Sequence, residues 1–415
     1  MPGPPASVFA DAPVGARSSD RTIVVLMVLA CGSVQAFGRF TFAILLPAVK
    51  ADLLTSYGKA GYLGTLNVGG YLAGTAVVSV ASLRVRGEIL VRIGLVFSTS
   101  GLLVLAVAPS LNVLIIGMLL AGVGGAVTFV PAVGLVTGAL RPDQRGLAVG
   151  LTGIGIGSGI VFATQLTNLW RAISGDEGAW RPIWWIEGAM AVALTVVTGF
   201  VLRVPASPGG SPPRLSALRR VPRWGAITAT YFCYGFGYIL YTTYVVAALE
   251  KDAYFGHAHA SAVFAVFGVA SIAGGITMGR ISDRIGRRPA LMAGYLLAGF
   301  AVLTPVTHRE PWVMLGALAF GFAFSGNIAV IGAYIADHAR PAEFGAAFGA
   351  VTLFFGLAQT VGPQLGGTIA DRSGSFTWTF VVSAAAWFVG AATARALAQR
   401  PVDPSSPLRI TTSSD

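Results

Sequence analysis

The chain has 415 residues, 54% of them hydrophobic and only 11% charged, with a formal charge of +11. That balance excludes an ordinary water-soluble globule, and the scatter of the basic residues between apolar runs argues against nucleic acid as the reason for the charge. The 54 glycines and 22 prolines fit close helix packing and kinks in a membrane bundle.

Residues 1–20 are rich in Pro, Gly, Ala and Ser and read as a disordered tail. A bilayer core about 30 Å thick needs roughly 20 apolar residues per spanning helix. Runs of that length are predicted at 22–46, 58–82, 89–108, 111–139, 144–168 and 182–201, then at 224–249, 260–280, 290–306, 312–336, 344–370 and 377–397. The first run is too long for a signal h-region and lacks a basic leader with a small-residue cleavage site, so it reads as a retained helix. The expected fold class is therefore an all-α membrane protein of twelve transmembrane helices. Its predicted parts are a six-helix bundle at 21–204, a loop at 205–223, a second bundle at 224–400 and a tail at 401–415.

With both termini placed in the cytoplasm, most of the 28 Lys and Arg lie in cytoplasmic segments, as the positive-inside rule requires. Cys31 and Cys233 fall inside apolar runs and read as packing residues, not a disulfide. The basic residues from Arg214 to Arg223 are expected to meet anionic lipid headgroups.

Charge is densest at Gly279-Arg280-Ile281-Ser282-Asp283-Arg284-Ile285-Gly286-Arg287-Arg288, a tight loop between two apolar runs. Glycines there allow close helix approach, the arginines suit water and headgroups, and Asp283 can meet a neighbouring helix N-terminus. The two halves also repeat. Arg141-Pro142 with Gly146 and Gly150 recurs as Arg340-Pro341 with Gly345 and Gly349, an offset of 199 that also pairs Gly38 with Gly237 and Gly117 with Gly316. Parallel repeats of this kind mark one class of membrane architecture.

The loop resembles the signature of the major facilitator superfamily of secondary transporters, and the likeness covers residues 21 to 400. Gly38-Arg39-Phe40, Leu45-Leu46-Pro47, Ala60-Gly61-Tyr62-Leu63 with Asn67, and Tyr234-Gly235-Phe236-Gly237-Tyr238 look like its YbfB-type bacterial branch. The resemblance implies two bundles rocking around a central site, a multi-pass protein of the bacterial plasma membrane, and a cavity lined by helices 1, 4, 7 and 10. It also implies that the second-half loop meets the start of helix 5 near Gln144 to Gly146. Three positions depart from the superfamily pattern. Leu83 stands where the second loop has Asp283, Met118 replaces an arginine often found early in helix 4, and helix 5 has glycines but no proline. These weaken a drug:proton antiporter reading.

Arg39 is the one basic residue predicted inside a span, about five residues or roughly 7.5 Å beyond the centre of helix 1. A buried guanidinium is costly and faces a wet cavity or an acidic partner; its fork suits a carboxylate or phosphate. The alternatives are bonds to carbonyls or to Glu187, or a snorkel to headgroups. The repeat sets Tyr238 opposite Arg39 and Thr128 opposite Asn327, and Gln35 lies one turn before Arg39. Tyr234, Tyr238 and Tyr241 share a helix face by spacing, and could hold an organic substrate or simply pack. Asn67 with Tyr71 reads as interhelical packing. Gln165 and Gln364 read as partners across the outer vestibule. Glu187 is the only acid predicted within a span and is the candidate for proton coupling. Its neighbours Trp180, Trp184 and Trp185 mark an interfacial belt, which favours a solvated or arginine-paired carboxylate over a relay.

The candidate gating set is Gly279, Asp283, Arg284, Gly286, Arg287 and Arg288. Arg84 and Arg86 are set against Glu343, with solvated charges as the preferred reading. The helix 5 glycines and the His257/His259 pair are discounted as a nucleotide fingerprint and a metal site. No enzymatic chemistry, cofactor or metal is expected. The leading expectation is a monomeric transporter of a small organic anion, with a proton or other ion as a candidate partner. The rivals are an exporter of amphipathic metabolites and a non-transporting membrane sensor.

Overall fold

In lipid every backbone polar group must find its partner within its own segment, so long apolar runs fold as helices. A computed structural model describes residues 18–140, 145–204, 213–340 and 343–399, and all its regular elements are helical. The predicted tails at 1–17 and 401–415, and loop residues 205–212, lie outside the described residues. The long helices are α1 Asp20–Leu53, α2 Tyr57–Ala81, α3 Gly87–Ala106, α4 Leu111–Ala139, α5 Arg145–Ser174 and α6 Arg181–Val201. The second set is α7 Trp224–Lys251, α8 His257–Ile285, α9 Arg287–Thr307, α10 Trp312–His338, α11 Phe344–Ser373 and α12 Thr377–Ala394. Among the described residues eleven are long and apolar enough to cross a membrane; α5 is the twelfth long helix and packs between α1 and α8.

Ser19 caps α1, its hydroxyl accepting the Thr22 N–H at 3.2 Å. Eight residues of α1, Ser33–Phe40, form a π-helical segment, a widened turn that recurs at functional sites. Asn67 holds it from outside, its amide donating to the carbonyls of Gly38 at 3.0 Å and Met118 at 3.1 Å. Helix α11 is also irregular at this level, because Pro363 has no N–H to give the carbonyl of Gln359.

Helices α1 to α6 pack on one another, as do α7 to α12, and the two bundles meet along α2–α11, α5–α8 and α1–α7. Both termini of the described chain lie on one face, here the terminal face. The bundles are closed on the opposite face. Asp371 of α11 accepts the first N–H groups of α2, Tyr57 at 2.9 Å and Gly58 at 2.7 Å, a favourable place for a negative charge. A Cβ at Gly61 would lie 2.2 Å from the Pro363 carbonyl oxygen, and one at Gly367 would lie 2.1 Å from that of Tyr57. Only glycine allows backbones this close. Across the α5–α8 seam Ser261 donates to Asn168 at 2.7 Å.

Toward the terminal face these contacts thin out, although a Cβ at Gly150 of α5 would still lie 3.4 Å from Ile276 of α8. A Cβ at Gly153, Gly279 or Gly345 would meet nothing within 4 Å, and Val77 and Val80 are 59% and 69% exposed.

The α8–α9 loop turns at Gly286, whose φ of +94° suits glycine. Arg287 is not a solvated residue as expected. It donates from Nε to Asp337 of α10 at 2.8 Å and from Nη1 to Asp283 and Ser282, tying the ends of α8, α9 and α10 together. Arg284 stays exposed and Arg288 half-buried. The predicted meeting of Asp283 with the start of α5 falls partly on Gln144, outside the described residues; within them Asp283 pairs with Arg287. Glu343 pairs with Arg220, and Arg86 pairs with Glu88 at 2.8 Å.

Candidate functional site

The closed half of the interface ends on Arg39. Its position in the π segment lets the side chain leave α1 and cross to the other bundle. There Nη2 donates to the Tyr238 hydroxyl of α7 at 2.7 Å and to the Gln359 side-chain oxygen of α11. The Tyr238 hydroxyl donates to the same Gln359 oxygen. Arg39 Nε is buried with no hydrogen-bond partner, and among the described residues no carboxylate pairs with Arg39. The guanidinium carbon lies 5.7 Å from the Tyr238 ring centre. Phe355 stacks on Tyr238 at 5.9 Å, with Phe324 tilted against it at 5.2 Å. Below Arg39 a cavity of about 20 Å³, bordered by Asn67, Met118, Thr242, Thr243 and Pro363, has room for about one water.

The predicted pair Arg39 and Tyr238 thus meets directly. Gln359 was missed, because its first-half counterpart at the 199 offset is Ile160 and a search for repeated polar positions passes over it. The clue was an amide in an apolar run, one turn before a proline.

Other candidates lie elsewhere. Thr128 is fully buried against α3, where a Cβ at Gly94 would lie 2.5 Å from its oxygen. Asn327 is equally buried against α9, its oxygen 2.2 Å from a Cβ built at Gly294. The two are related by the repeat, as expected, but each packs inside its own bundle and does not turn toward Arg39. The tyrosine stripe also divides. Tyr234 donates to the Phe324 carbonyl at 2.8 Å, while Tyr241 packs 4.1 Å from Phe320 inside the second bundle with its hydroxyl unpartnered. Gln35 is buried beside Tyr71. Gln165 and Gln364 do not pair; Gln165 is exposed and Gln364 bonds Thr368 one turn on along α11.

Glu187 corrects the interfacial reading. It is fully buried: Oε1 accepts the Thr41 hydroxyl at 2.7 Å, and among the described residues no arginine pairs with it and Oε2 has no partner. Trp184 is buried beside it in sequence, and Trp180 donates to Asp52 at 3.1 Å, so only Trp185 of the three is exposed. Thr41 stands two residues after Arg39, within the same turn, so the two side chains leave α1 on nearly opposite sides. The α5 glycines pack on α1, as a Cβ at Gly155 would lie 2.3 Å from the Val28 carbonyl oxygen. His257 and His259 contact Glu250 and Glu310 separately, and no cluster of three metal-ligating side chains exists among the described residues.

Two bundles closed on one face around a polar cluster have the fold of a solved transporter. A bacterial homologue of the human lysosomal transporter Spinster superposes with a TM-score of 0.73 at 14% identity, over 94% of this chain and 100% of that one. A family profile described as "Uncharacterised MFS-type transporter YbfB" matches residues 28–395, so the chain belongs to this family of major facilitator superfamily transporters. Among curated relatives, monocarboxylate transporter 12-B of Danio rerio is 27% identical over 133 residues, 31% of this chain and 28% of that protein. The class C tetracycline resistance protein of Escherichia coli is 32% identical over 96 residues, 23% of this chain and 24% of its own length. The chain therefore spans only about a quarter of either relative's length.

Proposed function

We propose that the protein carries a small organic anion across the plasma membrane of a bacterium by alternating access, as a monomer with both termini cytoplasmic. The observation that carries this reading is the state of Arg39. It stands between the bundles with neutral partners and an unpartnered Nε, and an uncompensated cation in such a place is costly. A substrate carboxylate would compensate it and accept two hydrogen bonds from the guanidinium fork. Tyr238 and Gln359 would orient the anion from the other bundle, and Phe324 and Phe355 would contact its apolar part. Because Arg39 belongs to one half and Tyr238 and Gln359 to the other, a bound anion changes the relative stability of open and closed states. The likeness to a monocarboxylate transporter agrees with this substrate class.

In this reading the rocking units are 21–204 and 224–400, and the Asp283–Arg287–Asp337 link keeps the second unit rigid at the gate lined by Gly279, Arg284, Gly286 and Arg288. Thr128 and Asn327 support the cavity helices, while Gln35 and Tyr234 set the cavity wall. Glu187 is the coupling candidate: an ionised carboxylate there would be a buried charge with one hydrogen bond, so its proton and the occupancy of α1 are linked through Thr41. A second reading, export of an amphipathic molecule, is favoured by the aromatic wall of Tyr231, Tyr234, Phe324 and Phe355 and by the likeness to a tetracycline resistance protein.

The test is uptake into proteoliposomes of a panel of small carboxylates and their neutral amides, with and without a pH gradient, for wild type and Arg39→Ala. Carboxylate uptake that disappears in the variant is expected. Uptake of amides that survives the substitution would overturn the anion reading.

A further inference from the structure

On the outer side of the second bundle, away from Arg39, α7, α11 and α12 leave an open groove of about 470 Å³. Its walls are Trp224, Thr228, Phe232, Cys233, Phe354 and Val389, and Arg219 stands at its mouth on the terminal face. From Trp224 to Cys233 it runs nine residues along α7, about 14 Å into the apolar layer.

The two halves of the repeat differ at this place. At the 199 offset Phe354 corresponds to Gly155 of the first bundle. Gly155 brings α5 against the backbone of α1 at Val28. The backbones of α7 and α11 still meet at Gly235, where a Cβ would lie 2.7 Å from the Phe355 carbonyl oxygen, and Phe354 stands to the outer side of that contact, where it lines the groove. Phe232, Trp224 and Val389 are 38%, 37% and 54% exposed.

The mouth is cationic. The short helix Leu215–Arg219 lies beside it with Ala217 and Leu218 buried and Arg219 exposed. The Arg219 guanidinium lies 5.8 Å from the Trp224 ring centre. Arg223 and Arg395 are also exposed at this end. The acid nearby, Glu343, is engaged by Arg220, and no acidic residue lines the groove.

We infer that the groove is a binding site for an anionic phospholipid of the leaflet at the terminal face. One acyl chain lies along Phe232, Phe354 and Val389, and the headgroup phosphate meets Arg219 and Arg223. An apolar slot of this depth suits a chain rather than a polar solute, and the arginines at its mouth select the charged headgroup.

The test uses the full chain reconstituted in dioleoylphosphatidylcholine vesicles and titrated with dibrominated phosphatidylglycerol or dibrominated phosphatidylcholine. Trp224 fluorescence is obtained as wild type minus Trp224→Phe. The expected result is quenching by the glycerol lipid at a lower mole fraction than by the choline lipid, with a preference that falls about fivefold for each arginine removed in Arg219→Gln and Arg219→Gln/Arg223→Gln. The variants' phosphatidylcholine curves should match wild type, which shows that the groove is intact. Identical curves for the two lipids in wild type would overturn the proposal and leave bulk lipid in the groove. A preference that survives in the double variant would overturn the arginine assignment. Quenching of the exposed Trp312 and Trp378 signal without any quenching of Trp224 would mean that a second copy of the chain covers the groove, and would also overturn it.

Discussion

The two ends of the interface between the bundles are built differently. Toward the opposite face α2 and α11 touch through backbone, with glycines at Gly61 and Gly367, an aspartate on a helix N-terminus and the Tyr244 hydroxyl on the Pro363 carbonyl. Toward the terminal face the same helices part, and Gly345 has open space where a side chain would go. Arg39 lies where contact gives way to separation. The closed end is held by many short-range contacts that all fail together when the helices part, as a two-state gate needs. The open end carries small residues that have no partner in this state.

Four substitutions break or sharpen that contrast. Gly61→Val places a side chain against the Pro363 backbone, and overpacking of about 1–3 kcal/mol shifts the closed end toward opening by roughly 5- to 150-fold. Hydrogen exchange at the amides of residues 54–68, read by mass spectrometry, should rise accordingly. Asn67→Leu leaves that exchange unchanged but removes two buried hydrogen bonds from the π segment, at a cost of about 1–3 kcal/mol, visible as a lower melting temperature. Asp371→Asn keeps the shape but removes the charge from the α2 N-terminus and turns one of the two accepting oxygens into an amide group that cannot accept a backbone N–H; about 1–2 kcal/mol is lost, and exchange at Tyr57 and Gly58 rises roughly 5- to 30-fold. Gly345→Ala at the open end should change stability by no more than about 1 kcal/mol, in the stabilising direction, with the closed end's exchange unaltered. A large exchange increase in this last variant would show that the ends are not independent in this state.

Much of the architecture was legible because apolar run length maps directly onto helices, though ends were not. The first helix was expected at 22–46 and runs Asp20–Leu53, since backbone bonding continues past Pro47 into polar residues at the membrane edge. At the site, the offset of 199 brought Arg39 to Tyr238, where they bond. The same offset paired Thr128 with Asn327, which occupy matching buried places in their own bundles, but could not give their direction. Each residue turns about 100° on a helix, so a small error in the facing angle moves a side chain from cavity to packing surface. Gln359 and Glu187 were harder for a physical reason: their roles depend on partners far away in sequence, Arg39 and Thr41, and on burial that no local pattern records.

The central claim is that Arg39 waits for an anion. Thermal unfolding of the purified protein with a small carboxylate and with its neutral amide, in wild type and in Arg39→Ala, tests it most directly. The account predicts a carboxylate-dependent rise in the melting temperature of wild type that the amide does not cause and the variant does not show. Equal stabilisation by both compounds, or a carboxylate effect retained without the guanidinium, would contradict it.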